Sequence, residues 1–341
     1  MAADVAFEEG GADVAAGTQP AGDNSERIVL LVPHTRREGN IASAARATEL
    51  LLEAGITVRL LGDRDVPFTD NYPSLAGLDT VDPGPDAAKD CELVLVLGGD
   101  GTFLGAAGMA REQDVPVLGI NLGHIGFLAE WEEDSLETAI RRVIDRNYRV
   151  VNRMTIDISV HDSNNDLVGE SWALNEASLE NIDRSGVLDA ILEVDFRPVS
   201  SFGCDGVLIA TPTGSTAYAF SAGGPILWPS LDAILVVPNN AHALFTTPLV
   251  VAPKSTVAVE SLITTTYAKV VLDGLRQVDM PPGSRLEVVR GHRPVRLVRL
   301  DDSPFTDRLV RKLHLPVNGW RGPVVKDDYS YSDSVTRRKA H

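Results

Sequence analysis

Two textures of apolar spacing alternate along the first part of the chain, from about Arg27 to Arg146. "RIVLLV" (27–32), "ITVRLL" (56–61), "LVLVL" (93–97) and "PVLGIN" (116–121) are short, nearly continuous apolar runs. That is the pattern of parallel strands buried on both faces. Between them the apolar spacing becomes helical. In "IASAARATELLLEAG" (41–55), Ile41, Ala44, Ala45, Leu51 and Leu52 recur at helical intervals, and Gly55 stands where a C-cap belongs. A helix is expected after "LVLVL", to about Gln113, and another over "LETAIRRVID" (136–145) with Ser135 as its cap. The Pro-, Gly- and Asp-rich stretch 63–89 reads as loop or weak helix. This alternation predicts a doubly wound α/β domain over 27–147, with its ligand site at the C-terminal ends of the strands.

After residue 147 the texture changes. "YRVVNRMTIDISV", "LEVDF", "GVLIA", "LVVAP", "TVAVE", "AKVVLDG" and "SRLEVVR" are short β-prone runs separated by Gly, Pro and Asn turns. They predict a second, mainly β domain over 148–302. "SPFTDRLVRKL" then predicts a lone helix within 303–315, with Ser303 as cap and Pro304 at its first position, placed to pack back on the first domain. No internal repeat is visible.

Composition narrows the class. With 44% hydrophobic residues and no apolar run near the roughly 20 residues that cross a bilayer, the chain reads as a soluble globular protein. Residues 1–26, rich in Ala, Gly and acid, read as a disordered tail and not as a signal peptide; 320–341 read as a flexible C-terminal tail. Two cysteines, Cys91 and Cys204, are too few for a disulfide framework and point to a reducing cytoplasm. A net charge of −17 repels nucleic acid and anionic membrane, so neither is expected as a partner. An anionic substrate must then be met by backbone N–H groups or a metal.

The glycine loop "GGDGTFL" (98–104) supplies such N–H groups. It is not a P-loop, and Leu104 stands where a dinucleotide fingerprint needs its third glycine. What remains is a strand, Gly98-Gly99, Asp100, Gly101-Thr102 and a helix. The glycines admit close backbone approach, and the helix N-terminus offers N–H groups to phosphate. Asp100 then has two readings: a helix cap, or a carboxylate that takes the proton of an attacking hydroxyl and helps hold magnesium. Asn175-Glu176 is either a turn pair or a pair able to satisfy ribose hydroxyls or an adenine edge. "TPTGSTAYAFSAGGP" (211–225) is either a plain hairpin or a set of hydroxyl and backbone donors beside the Tyr218 ring.

"GGDGTFL" resembles the motif of a kinase superfamily that includes NAD kinases, lipid kinases and phosphofructokinases. "NLGHIGFLAEW" (121–131), "ALNEASL" (173–179) and "DGVLIATPTGSTAYAFSAGGPI" (205–226) resemble, in order, further segments of the NAD kinases. The resemblance implies a Rossmann-like α/β domain followed by a β-sandwich-like domain. It implies transfer of a phosphoryl group from ATP or polyphosphate to the adenosine 2′-hydroxyl of NAD, with a divalent metal such as magnesium, in a homodimer or homotetramer. It further implies Asp100 as general base, with Gly98, Gly99, Gly101 and Thr102 beside it. Phe127, Asn175, Glu176, Thr213, Thr216, Ala217, Tyr218 and Ser221 would contact the dinucleotide, and Asp205 and Asn240 a ligand in a neighbouring subunit. His124 receives no role.

Two positions depart from the family pattern: Gly203 stands where relatives have a basic residue, and "LDGLRQ" where they read D-G-Q, which would place a glutamine contact at Leu275 or Gln277. A lipid kinase would share the glycine loop but would meet anionic bilayers with a −17 chain. A phosphofructokinase would leave "NEASL" and "TPTGSTAY" without purpose. A non-catalytic dinucleotide sensor would have no need of a proton acceptor at Asp100.

Overall fold

A computed structural model of the chain describes residues 26–34, 38–62, 72–121, 126–128, 131–132, 136–182, 187–243, 246–262, 267–300 and 303–317. The expected tails (Glu26 apart), His124 and the Ser135 cap lie outside them. The chain begins β1 (Ile28–Pro33), α1 (Glu38–Glu53), β2 (Thr57–Leu61), β3 (Asp79–Val81) and β4 (Leu93–Leu97). It continues α2 (Asp100–Glu112), β5 (Val117–Asn121), β6 (Trp131–Glu132), α3 (Leu136–Ile144) and β7 (Arg149–Arg153). Next come β8 (Ile156–His161), β9 (Leu167–Ala173), β10 (Glu176–Asn181), β11 (Leu188–Val194), β12 (Arg197–Cys204) and β13 (Gly206–Ala210). A short α4 (Tyr218–Ser221) leads to β14 (Ile234–Asn239), β15 (Leu249–Val251), β16 (Val257–Ser261) and β17 (Ala268–Leu272). The last elements are β18 (Arg276–Met280), β19 (Arg285–Arg290), β20 (Val295–Arg299) and α5 (Phe305–Leu313).

The first sheet has the order β3-β2-β1-β4-β5-β20-β7, with β6 beside β5. Its β1 and β4 explain the unbroken apolar runs. Val29, Leu31, Leu93 and Leu95 point into one core with Ala44 and Leu51 of α1 and Ile140 of α3. Leu30, Val32, Val94 and Val96 point into another, with Phe103, Leu104 and Ala107 of α2. Alternate side chains meet helices on both faces, so every position is apolar.

The expected boundary at 147/148 falls just before the chain crosses from the first sheet to the second layer. "YRVVNRMTIDISV" is two strands: β7 lies in the first sheet and β8 in the second layer, with Met154 and Thr155 buried at the crossing. β20, also expected in the β-rich part, pairs antiparallel with β7 from Val295↔Arg153 to Arg299↔Arg149, and parallel with β5 through Leu297↔Val117. The described part of the chain up to 300 accordingly belongs to one compact unit. The stretch 63–89 holds a strand that the sequence reading missed, β3, parallel to β2.

The β-rich part is two six-stranded sheets, β15-β14-β13-β10-β17-β18 and β12-β11-β16-β19-β8-β9. Ala177, Leu179, Val207 and Ile209 of one sheet share a single core with Ile158, Leu188, Ala190, Leu192 and Val288 of the other. Two sheets closed face to face on one apolar layer make a sandwich. α4 covers the outer face of the first of them, where Ala219 packs with Leu208, Ala210, Leu235 and Val237. The last helix, α5, begins one residue later than expected: Pro304, extended at φ −66 and ψ 151, is its N-cap. His314, left-handed at φ 50, closes it.

Candidate functional site

Sequence order turns outward in both directions from β1 and β4, so these two strands form the topological switch point of the first sheet. α1 and α2 leave it on opposite faces, and the glycine loop lies at its edge. The His34 amide donates to the Leu97 carbonyl (2.8 Å), and the Gly98 amide to the Ile120 carbonyl (3.0 Å). A Cβ at Gly98 would fall 2.9 Å from Thr102 Oγ1 and 3.1 Å from His34 Cβ, so any larger residue there must push both side chains aside.

Asp100 is the first residue of α2, not its cap. Gly99 holds the N-cap position, with no side-chain cap bond. The Asp100 carboxylate instead accepts the Phe127 amide on Oδ2 (3.2 Å) and the Leu128 amide on Oδ1 (3.1 Å). Gly126 makes room for it, since a Cβ there would lie 2.3 Å from Asp100 Oδ1. Phe127, expected at the pocket wall, thus meets Asp100 through its backbone.

Asn175-Glu176 forms the turn from β9 into β10. Leu174, just before it, is buried with Phe103, Leu104 and Leu128, which brings this turn against the helix that carries Asp100. Asn175 and Glu176 are each 7% exposed, and Asn175 Oδ1 and Glu176 Oε2 have no hydrogen-bond partner. Buried polar atoms left unpaired cost about 1–3 kcal/mol each, a cost that a bound ligand can offset.

Asp273, which the sequence reading passed over, holds this turn. Its carboxylate accepts the amides of Leu174 (2.9 Å), Asn175 (2.7 Å) and Glu176 (3.3 Å). The "DG" at 273–274 is a hairpin dipeptide, and both residues have positive φ (53 and 69) between β17 and β18. Nothing local announced the clamp. Of the two glutamine-contact positions, Leu275 is exposed and Gln277 lies in β18; the side chain that meets Asp273 is Arg276 (2.9 Å).

The 211–221 run packs on the same turn. The Thr211 amide donates to the Asn175 carbonyl (2.9 Å), and the Thr211 hydroxyl to the Leu174 carbonyl (2.5 Å). Two hydroxyls of this run bond within the fold: Ser215 donates to the Pro212 carbonyl (2.7 Å) and Thr216 to the Thr213 carbonyl (3.2 Å). Thr213 is buried, Thr216 and Ala217 are half-buried, and Tyr218 and Ser221 are exposed. Tyr218 faces Glu176 with its amide and reaches Asn239 Nδ2 (3.5 Å) with its hydroxyl.

Asp205 and Asn240 are brought together elsewhere. The Asn240 side-chain amide donates to Asp205 Oδ2 (2.8 Å) at the end of β13 opposite Glu176. Glu176 pairs with Ala210, five residues along the chain from Asp205, or about 17 Å at the usual rise of a strand.

Burial, then the charge of Asp273, pushes the Glu176 carboxyl up from 4.5 to about 7, against the Tyr218 amide, which lowers it. A carboxyl held neutral donates a hydrogen bond, while Asn175 Oδ1 beside it accepts one. Because the folded value is the higher one, the stabilisation is full below pH 4.5 and lost as pH rises through about 7. Glu176→Gln is therefore expected to gain on the wild type by up to about 3 kcal/mol between pH 5 and pH 8. Parallel stability–pH curves from denaturant titration would rule out the raised value.

Comparison with known proteins shows the family. Residues 29–148 match the family model of the ATP-NAD kinase N-terminal domain, and 174–300 that of the ATP-NAD kinase C-terminal domain. The NAD kinase of Corynebacterium efficiens is 67% identical over 301 residues, 88% of this chain and 95% of that protein. That of Corynebacterium glutamicum is 68% identical over 278 residues, 81% and 95%. Yeast NADH kinase complexed with NADH has a similar fold (TM-score 0.76, 21% identity, 88% of this chain and 91% of that one). So has an NAD kinase from Archaeoglobus fulgidus in complex with ATP (TM-score 0.64, 22% identity, 86% and 100%). With both domains matched in order and relatives this close, the chain belongs to the NAD kinase family.

Proposed function

We propose that this chain transfers the γ-phosphoryl group of ATP to the adenosine 2′-hydroxyl of NAD, yielding NADP, with Asp100 as general base. The observation that carries this is the Asp100 carboxylate, set at the switch point on the first turn of α2 and anchored by two amides. The 2′-hydroxyl proton passes to an Asp100 oxygen as that hydroxyl oxygen bonds to phosphorus. The bond from phosphorus to the β–γ bridging oxygen breaks, and ADP leaves with the electron pair. N–H groups of the first turn of α2 and the Gly99 and Gly101 backbone receive the donor phosphates, which is how a −17 chain holds an anion; the Gly98 amide is already spent on the Ile120 carbonyl.

A divalent ion such as magnesium fits this site as a companion of the donor. Among the described residues no three His, Cys, Asp or Glu side chains lie together. Magnesium on a nucleotide needs no such cage, because it takes phosphate oxygens and water with one or two carboxylates. Asp100 would be that carboxylate, and the ion would neutralise charge on the transferring group. Inorganic polyphosphate offers the same terminal phosphoryl group. Incubating the protein with NAD, magnesium and either donor, then assaying NADP with an NADP-specific dehydrogenase, tests this. No NADP from either donor would sink the proposal.

The same reading takes the chain as a cytoplasmic homo-oligomer in which Asp205 and Asn240 serve a neighbour's site. In support, the pair is exposed and lies a strand's length from Glu176. Mixing an Asp100→Asn chain with an Asp205→Ala chain should restore activity, since some hybrid sites draw a wild-type residue from each. Absence of rescue in a verified hybrid would leave every site within one chain.

A further inference from the structure

Two guanidiniums meet over one indole between the two halves of the candidate site. Arg111, in the last turn of α2, has its Cζ 4.4 Å from the centre of the Trp172 ring, and Arg276 of β18 has its Cζ 4.3 Å from that centre. Arg111 is tied down further by Asp157 (3.1 Å) and the Arg293 carbonyl (3.0 Å). Arg276 bonds Asp273, whose carboxylate accepts the three successive amides of the Asn175-Glu176 turn. A continuous path therefore joins the helix that begins at Asp100 to the turn that presents Asn175 and Glu176.

We propose that Trp172, Arg276 and Asp273 are positioning residues that set the Asn175-Glu176 turn against the Asp100 helix and thereby fix dinucleotide binding. This rests on the dinucleotide reading given above. Three features separate the path from ordinary packing. Both cations lose solvent around a single ring, Arg111 almost wholly and Arg276 in part, an arrangement that costs free energy unless the geometry is used. Asp273 is 1% exposed at its side chain and spends both oxygens on the turn and Arg276. The two atoms it leaves free at the turn, Asn175 Oδ1 and Glu176 Oε2, are those a ligand can use.

Charge passes along the same path. The groups that face Glu176 are Asp273 and the Tyr218 amide, and Arg276 offsets Asp273. Removing the Arg276 charge leaves Asp273 less balanced, which favours the neutral Glu176 carboxyl and moves its ionisation to higher pH.

Arg276→Gln and Trp172→Leu test this, with Trp172→Phe as the conservative variant. NAD binding by titration calorimetry and steady-state kinetics are read from pH 6 to pH 9. Both variants are expected to raise the KM for NAD about five- to thirtyfold with kcat within about threefold, the span of a lost desolvated cation–π contact. Trp172→Phe should recover most of the affinity. In Arg276→Gln the pH at which NAD binding weakens should move up. Unchanged KM and pH profile in folded Arg276→Gln would overturn the proposal, as would a loss confined to the folded fraction seen by circular dichroism. If Trp172→Leu fails to fold, the half-exposed Arg276 decides the matter alone. Wild-type protein that binds no NAD would instead defeat the dinucleotide reading itself.

Discussion

Asp100→Asn is expected to lower turnover by about two to four orders of magnitude, the span of general-base catalysis. The amide cannot take the 2′-hydroxyl proton. It also cannot keep both of its neighbours, because Asp100 accepts Phe127 N–H on one oxygen and Leu128 N–H on the other. An asparagine has one acceptor oxygen, so one of these amides would face an NH2 group. Some loosening of 126–128 is therefore expected, with NAD affinity changed only a few-fold. Single-turnover kinetics and NAD titration separate the two effects. Turnover within a few-fold of wild type would leave the carboxylate with only the structural task of holding 127 and 128.

Gly214→Ala should be the most damaging small substitution in the β-rich part. An added Cβ would stand 1.9 Å from the Asn175 carbonyl oxygen and 2.3 Å from its carbon. Both are backbone atoms, and the same oxygen accepts the Thr211 amide. The 211–216 turn must lift off Asn175, so the variant loses packing and the site together. Destabilisation of about 3 kcal/mol, the upper part of the overpacking range, is expected, with NAD affinity reduced at least about tenfold. Gly101 is the contrast, because a Cβ there meets nothing within 4 Å. Thermal unfolding and NAD titration of both alanine variants check the pair. A Gly214→Ala protein with wild-type Tm and affinity would show that the turn is free to move.

The helices and central strands were readable because their causes are local. Leu93–Leu97 is apolar at every position, and a strand covered on both faces needs that. Asp100 and Asn175-Glu176 stood out as polar residues beside glycine or at the edge of a β run. Sheet membership was not readable in the same way. β20 shows the apolar pattern of a strand, but its partners β5 and β7 lie far back in the chain, Leu297 pairing with both Val117 and Val151. A local pattern fixes which face is buried, not what the strand pairs with. The clamp of Asp273 on residues 174–176 and the stacking of Arg111 and Arg276 on Trp172 are likewise contacts between distant segments. So is the raised Glu176 carboxyl: its residue type is written in the chain, but its hold on a proton comes from burial and from the charge of Asp273, which only the folded structure brings beside it.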